Sequence, residues 1–195
     1  MQLPELFIES ARLTMGERRF QRFMEALDEP SPVSIRVNMR KMEDYPFSIS
    51  DSQLRKVPWC PTGYYLPDRP NFTFDPLLHA GCYYVQEASS MFIDHVLRLY
   101  VQTPVHMLDL CAAPGGKSTA ARAALPEGSM LVSNEPIRQR AQILSENIQK
   151  WGYPDCMVTN CYPKDFRKAR CLFDVILCDV PCSGEGMFRK DPQAM

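Results

Sequence analysis

The sequence predicts an α/β fold, a parallel sheet built from alternating strands and helices, preceded by a small α+β module. Three observations carry this. After Pro104, short apolar runs alternate with amphipathic stretches of helical period. Before Pro104, helical segments, one strand of period two and a long stretch rich in proline and aromatics replace that alternation. Finally, the run Val-Ile-Leu-Cys at 175–178 ends in Asp179, and the carboxyl ends of strands are where open parallel sheets bind ligands.

Residues 3–27 alternate apolar and charged side chains at helical spacing. Phe7, Leu13, Phe20, Phe23 and Leu27 fall broadly on one side of two short helices, broken near Thr14-Met-Gly16 and ended by Ser31-Pro32. Residues 33–38 alternate with period two and predict a strand. Residues 45–76 predict long loops with a strand or two around Tyr64-Tyr65-Leu66. A further strand is expected over 81–86 and a helix over 87–99. The alternating part then predicts strands at 107–110, 130–133, 156–159 and 175–178. Helices are predicted over 118–125 and 138–151, the second closed by Gly152 as C-cap. Parallel strands joined by helices imply right-handed crossovers.

A hydrophobic content of 45% supports a core, which argues against general disorder. The formal net charge of −1 means that any nucleic-acid surface must be a local patch. No apolar run is long enough for a membrane helix, and the first residues lack the pattern of a secretory signal. The eight cysteines form no Cys-x-x-Cys pair, and His79, His95 and His106 are scattered, so neither zinc nor a disulfide framework is expected. The prediction is a cytoplasmic protein with reduced thiols, no metal and no membrane partner.

The segment Asp-Leu-Cys-Ala-Ala-Pro-Gly-Gly-Lys-Ser at 109–118 joins the first parallel strand to its helix. Its glycines let the backbone approach a ligand, and the helix N-terminus points at that ligand. A phosphate-binding loop would need glycine where Cys111 stands, and Gly-x-Gly-x-x-Gly is absent, so an NTPase or a nicotinamide enzyme is disfavoured. Glu135 follows the second strand, where an acid can accept both hydroxyls of a ribose; the alternative is a solvated acid at a helix N-terminus. Loop and acid together fit a nucleoside cofactor without a pyrophosphate, with S-adenosylmethionine the obvious candidate.

At these residues the sequence resembles the Nop/Sun (RsmB- and RsmF-like) family of RNA cytosine-5 methyltransferases, most closely its RsmF-like ribosomal RNA branch. The resemblance rests on Leu-Asp-Leu-Cys-Ala-Ala-Pro-Gly-Gly-Lys at 108–117, on Asn134-Glu135 with Arg140, and on Asp-Val-Pro-Cys-Ser-Gly-Glu-Gly-Met-Phe-Arg-Lys-Asp at 179–191. Tyr-Tyr-Val-Gln-Glu-Ala-Ser-Ser-Met at 83–91 and Ser-Ile-Arg-Val-Asn at 34–38 extend it over essentially the whole chain. It implies an RNA-contacting α+β module over residues 1–80. A Rossmann-like S-adenosylmethionine-dependent methyltransferase domain would follow over 81–195, its carboxyl part lying beyond Met195.

The family's cofactor contacts fall on Cys111, Ala112, Ala113, Pro114, Gly115, Gly116, Lys117, Glu135 and Asp179, and its Pro-Cys cysteine on Cys182. Two features depart from the family. Its acid after the third strand has no counterpart at Asn160-Cys-Tyr162, where Tyr162 would stack or donate instead. Its nucleophile is a cysteine in a Thr-Cys pair, and no such pair occurs in this sequence.

Carbon 5 of cytosine is a poor nucleophile until a thiolate adds to carbon 6. Asp179 suits the role of hydrogen-bonding the cytosine edge; the alternative is an acid that caps the next turn. Cys182 is either the attacking thiol, as in DNA cytosine-5 methyltransferases, or the release thiol of the family resembled. Cys178 is expected in the core, and Lys117 at cofactor, RNA or helix start. Two other classes compete. An amino-methyltransferase would need Asn/Asp-Pro-Pro, where this sequence has Asp-Val-Pro-Cys at 179–182. A non-catalytic RNA-binding fragment would use Arg36, Arg40, Lys41, Arg55, Lys56, Arg189 and Lys190 on phosphate, with Tyr64, Tyr65 and Phe72 stacking on bases.

Overall fold

The computed structural model describes residues 3–42, 54–168, 170, 172–180, 182 and 184–188. The chain forms two compact units, residues 1–31 with 181–195, and residues 32–180.

In the smaller unit, α1 (Glu5–Met15) and α2 (Glu17–Asp28) meet at Gly16, whose φ of 74° is the left-handed turn that separates them. Phe7 packs against Phe23 at 6.2 Å and edge-on against Phe188 at 5.2 Å, while Arg12 lies 4.8 Å over the ring of buried Phe20. Leu13 is not part of the expected apolar stripe: it is 88% exposed. A 3-10 turn spans Glu185–Met187.

The larger unit holds two four-stranded sheets. The first is antiparallel, in the order β2 (Arg55–Lys56), β3 (Gly63–Leu66), β1 (Val33–Val37), β4 (Tyr83–Val85). Short helices α3 (Met39–Met42) and α4 (Pro76–His79) connect it, the latter capped by Asp75 accepting from the Leu77 N–H at 2.8 Å. The strand expected at 81–86 therefore pairs with β1, with Arg36 opposite Tyr84.

The second sheet is parallel, in the order β7 (Cys156–Thr159), β6 (Met130–Asn134), β5 (His106–Asp109), β8 (Val175–Leu177). Helix α6 (Gly116–Ala124) joins β5 to β6, α7 (Arg138–Trp151) joins β6 to β7, and α8 (Pro163–Lys168) precedes β8. The helical part of 87–99 is a 3-10 turn, Ala88–Met91, followed by α5 (Phe92–Tyr100). On α7 the buried positions Ala141, Leu144, Ile148 and Trp151 recur at helical spacing, and Gly152 closes the helix at φ 83°. Leu97, Met107, Ala121, Ala124, Leu125 and Leu131 form the main core. The small residues of α6 let it lie close to α5 and the sheet. Among the described residues no helix is long and apolar enough to cross a membrane.

Candidate active site

The strand order reverses between β5 and β8: the chain runs outward through β6 and β7, then returns to the other side of β5. Ligands bind outside the carboxyl ends of strands at such a point. Here those ends deliver Asp109 from β5 and Asp179 just beyond β8.

The loop leaving β5 is pinned from several sides. Its Ala112 N–H donates to the Asn134 carbonyl at 2.7 Å, Asn147 Nδ2 donates to the Pro114 carbonyl at 2.8 Å, and Arg140 donates to the Ala113 carbonyl at 2.9 Å. Gly115 has φ 111°, a backbone conformation that favours glycine, and a Cβ there would press on Leu144 Cδ1 at 3.2 Å. The helix starts at Gly116, two residues earlier than the sequence predicts, which brings Lys117 and Ser118 into its first turn.

Asp109 is fully buried and accepts from Ser118 Oγ at 2.6 Å, while its Oδ1 has no hydrogen-bond partner. Burial pushes its pKa up from 3.8 to about 6, and the charge of Asp179 adds to this against the opposing Ser118 hydrogen bond and Lys117 charge. Lys117 Nζ pairs with Asp179 Oδ2 at 2.5 Å. The thiol of Cys111 is pushed up by burial and by the nearby charge of Glu135, which disfavours its thiolate.

Glu135 is only 1% exposed, so it is not a solvated helix-terminal acid. Its Oε1 accepts from the Ile137 N–H at 3.0 Å; its Oε2 makes no hydrogen bond, with Arg140 at 3.6 Å as its ion-pair partner. The adjoining Asn134 side chain ties Leu110 to Cys161 through their carbonyls at 3.0 and 2.9 Å. Tyr162 is exposed, with Lys164 Nζ 5.4 Å from its ring centroid.

A cavity of about 230 Å³ opens beside the loop, walled by Asp109, Cys111, Ala112, Ala113, Pro114, Gly116, Lys117 and Asp179. Its other wall is Tyr84, Gln86 and neighbours from the end of β4. Gly115 and Glu135 are not in its lining. A second hollow of about 400 Å³, lined by Ser90, Phe92, Ile93, Val96, Leu177 and others, shares the Lys117–Asp179 pair. Sequence reasoning assigned no site role to Tyr84, Gln86, Ser90 or Asp109. The available signal was a polar residue, Gln86, closing an otherwise apolar strand.

Expectations for three residues are corrected. Cys178 lies just beyond β8, which stops at Leu177, and is exposed, as is Ile176 within the strand. Arg36 is fully buried and cannot reach a phosphate: its Nε donates to Gln86 Oε1 at 2.9 Å, and its NH2 to Thr119 Oγ1 at 2.5 Å. Lys41 is likewise engaged, donating to the Ala80 and Lys150 carbonyls. Arg55 and Lys56 lie over Tyr65 and Tyr64, and Arg40 over Tyr153. Cys182 is an exposed free thiol. Pro181, Ser183, Arg189 and Lys190 lie outside the described residues.

Residues 3–88 match the family described as the N-terminal domain of 16S rRNA methyltransferase RsmF, and residues 96–195 match 16S rRNA methyltransferase RsmB/F. Among curated proteins, the ribosomal RNA small subunit methyltransferases F of Serratia proteamaculans and Vibrio cholerae are each 35% identical over 99% of this chain. The chain spans 42% and 43% of their respective lengths. Among solved structures, a methyltransferase homologue from Pyrococcus horikoshii superposes with a TM-score of 0.74 at 24% identity, covering 98% of this chain and 68% of its own. NSun6 from the same organism, solved with SFG, gives 0.71 at 15% identity, covering 93% and 71%. These two likenesses establish the fold: a methyltransferase-type parallel sheet behind an α+β region. With the sequence matches over both segments, the chain belongs to the 16S rRNA methyltransferase RsmB/F family.

Proposed function

We propose that this chain carries the cofactor-binding part of an S-adenosylmethionine-dependent enzyme that methylates carbon 5 of a cytosine in ribosomal RNA, a cytoplasmic task. The observation that carries this reading is the cavity at the β5–β8 switch point, walled by the glycine loop, Asp109 and the Lys117–Asp179 pair. The residues fit the cofactor. The loop presents backbone without side-chain bulk at Gly116, and buried Glu135 keeps one oxygen free of hydrogen bonds for a ribose hydroxyl. We assign residues 111–117, Glu135 and Asp179 to the cofactor. Residues 1–80 are assigned to RNA contact and 81–195 to the methyltransferase domain.

When bound, S-adenosylmethionine supplies an electrophilic methyl group on a sulfonium. Cytosine becomes reactive when a thiolate adds to carbon 6 and the displaced electron pair makes carbon 5 nucleophilic. After transfer, the proton leaves carbon 5 and the thiolate leaves carbon 6. Asp179 hydrogen-bonds the cytosine edge, and Lys117 holds that carboxylate in place. Cys182 assists the elimination. The Thr-Cys pair associated with the attacking thiol does not occur in these residues, so we assign to them cofactor binding without complete turnover.

Calorimetric titration with S-adenosylhomocysteine tests the cofactor site. The wild-type chain is expected to bind, and Glu135→Ala to weaken binding by about tenfold, the order expected for one lost charge-assisted hydrogen bond. Unchanged affinity sinks the ribose assignment. Methyl transfer to unmodified ribosomal RNA by residues 1–195, abolished by Cys182→Ala, would instead make Cys182 the attacking thiol.

A further inference from the structure

We propose that Gln86 is a cofactor-binding residue whose side-chain amide N–H donates to the carboxylate of the cofactor's amino-acid tail, with Arg36 as the positioning residue that aims it. This rests on the cofactor reading given above. Gln86 directly follows β4, and its backbone is fixed twice against β1. Its N–H donates to the Ser34 carbonyl at 3.1 Å, and its carbonyl accepts from Ser34 Oγ at 2.6 Å. The side chain is fixed as well. Oε1 accepts from Arg36 Nε–H at 2.9 Å, and since a guanidinium only donates, the amide cannot be flipped.

Nε2, with two hydrogens to give, is therefore held in a known direction. It is buried, in a residue only 7% exposed, and has no hydrogen-bond partner among the described residues. Buried donors left unmet are rare and call for an explanation. Gln86 lines the same cavity as Asp109, Cys111, Gly116 and Lys117. It stands against the loop itself: a Cβ added to Gly116 would lie 3.7 Å from Nε2 and 3.4 Å from the Tyr84 ring. The amide and the loop are thus within van der Waals reach of each other.

The chemistry of the walls selects the ligand group. A donor needs an acceptor, and the ribose hydroxyls are already assigned to Glu135. Asp109, a carboxylate on the same cavity, offers an acceptor. Lys117 is engaged by Asp179. A zwitterionic amino-acid tail complements this pair of walls, its ammonium toward Asp109 and its carboxylate toward Gln86. Arg36 couples the antiparallel sheet to the cofactor loop, because its NH2 also reaches the Gly116 carbonyl at 3.4 Å and Thr119 Oγ1 at 2.5 Å.

The test compares S-adenosylhomocysteine with 5′-methylthioadenosine, which lacks the amino-acid tail, on the wild-type chain and on Gln86→Glu. That variant keeps an acceptor for Arg36 and removes the donor. It is expected to bind S-adenosylhomocysteine about ten- to a hundredfold more weakly, the order for a lost buried hydrogen bond, and methylthioadenosine unchanged. Equal losses for both ligands, or none, overturn the assignment. A wild-type chain that binds neither ligand overturns the cofactor reading, and this inference with it. One measurement needs no variant. In the wild-type protein, the side-chain NH2 resonances of Gln86 should shift with S-adenosylhomocysteine and not with methylthioadenosine. Resonances indifferent to both would sink the proposal.

Discussion

In the antiparallel sheet, central strand β1 carries its cation inward. Arg36 is fully buried, 4.3 Å from the Trp151 ring, with carbonyls and neutral side chains as its hydrogen-bond partners. The parallel sheet carries its anions where the chain leaves the strands, Asp109 buried and Asp179 half exposed beside Lys117. A side chain in the middle of a central strand is surrounded, so a charge there must be matched by protein groups. A strand end opens onto loops, so a charge there keeps valence for something that is not protein. On the proposed reading, this difference divides structural charge from charge available to a ligand.

Removing the inward cation should produce the largest effect. Burial lowers the Arg36 pKa from 12.5 only to about 10, so it remains charged at neutral pH. Arg36→Met would strand Gln86 Oε1 and leave carbonyls of α6 without their donor. The expected loss is about 3 kcal/mol, or roughly 10 °C in melting temperature for a chain of this size. Arg36→Lys should recover little of it, since an ammonium cannot span the same acceptors. A change below about 1 kcal/mol for Arg36→Met, which a surface charge would give, would erase the contrast between the sheets.

The second test uses pH. A buried carboxyl whose pKa rises from 3.8 to about 6 on folding contributes stability that is fully present below the lower value and lost as pH climbs through the upper one. That difference is equivalent to about 3 kcal/mol as an upper bound. In denaturant melts between pH 4 and pH 6, Asp109→Asn should remove this downward component from the wild-type profile. Carbon-13 titration of the Asp109 carboxyl should give a midpoint near the upper value. A midpoint near 4 would mean that Asp109 is solvated like an ordinary surface acid.

Much of this contrast was legible in the sequence, and the unread part has a physical cause. The parallel strands announced themselves by apolar runs, and the loop by its paired glycines, because those properties are local. Gly152 was placed correctly as the C-cap of α7, because a left-handed backbone leaves a residue-level mark. Arg36 was misread as a phosphate contact, since its burial depends on Trp151, more than a hundred residues away, and on Thr119 in another element. Gln86 carries no local mark of a role, because only the pairing of β4 with β1 brings it to the loop after β5. Cys178 was placed in the core because an apolar run reads as buried, whereas even Ile176 within β8 is 55% exposed.

The smallest expected effect belongs to the outward cations of the antiparallel sheet. Arg55 lies 4.5 Å from the Tyr65 ring centroid and Lys56 5.5 Å from that of Tyr64, and both cations are on the exposed two-residue strand β2. At exposed sites such cation–ring contacts are worth about 0.5–1 kcal/mol, so the double variant Arg55→Ala, Lys56→Ala should melt within a few degrees of the wild type. If these cations meet RNA phosphate, the loss appears instead in binding. The dependence of log affinity on log salt should flatten by about one for each contact removed, with little change in sequence preference. Competition between structured ribosomal RNA and duplex DNA at two salt concentrations reads both quantities. An unchanged salt slope would assign Arg55 and Lys56 to covering their tyrosines, and a large drop in melting temperature would place them with Arg36 as structural charges. Either result would move the boundary between the two kinds of charge, and neither would disturb the site at the strand ends of the parallel sheet.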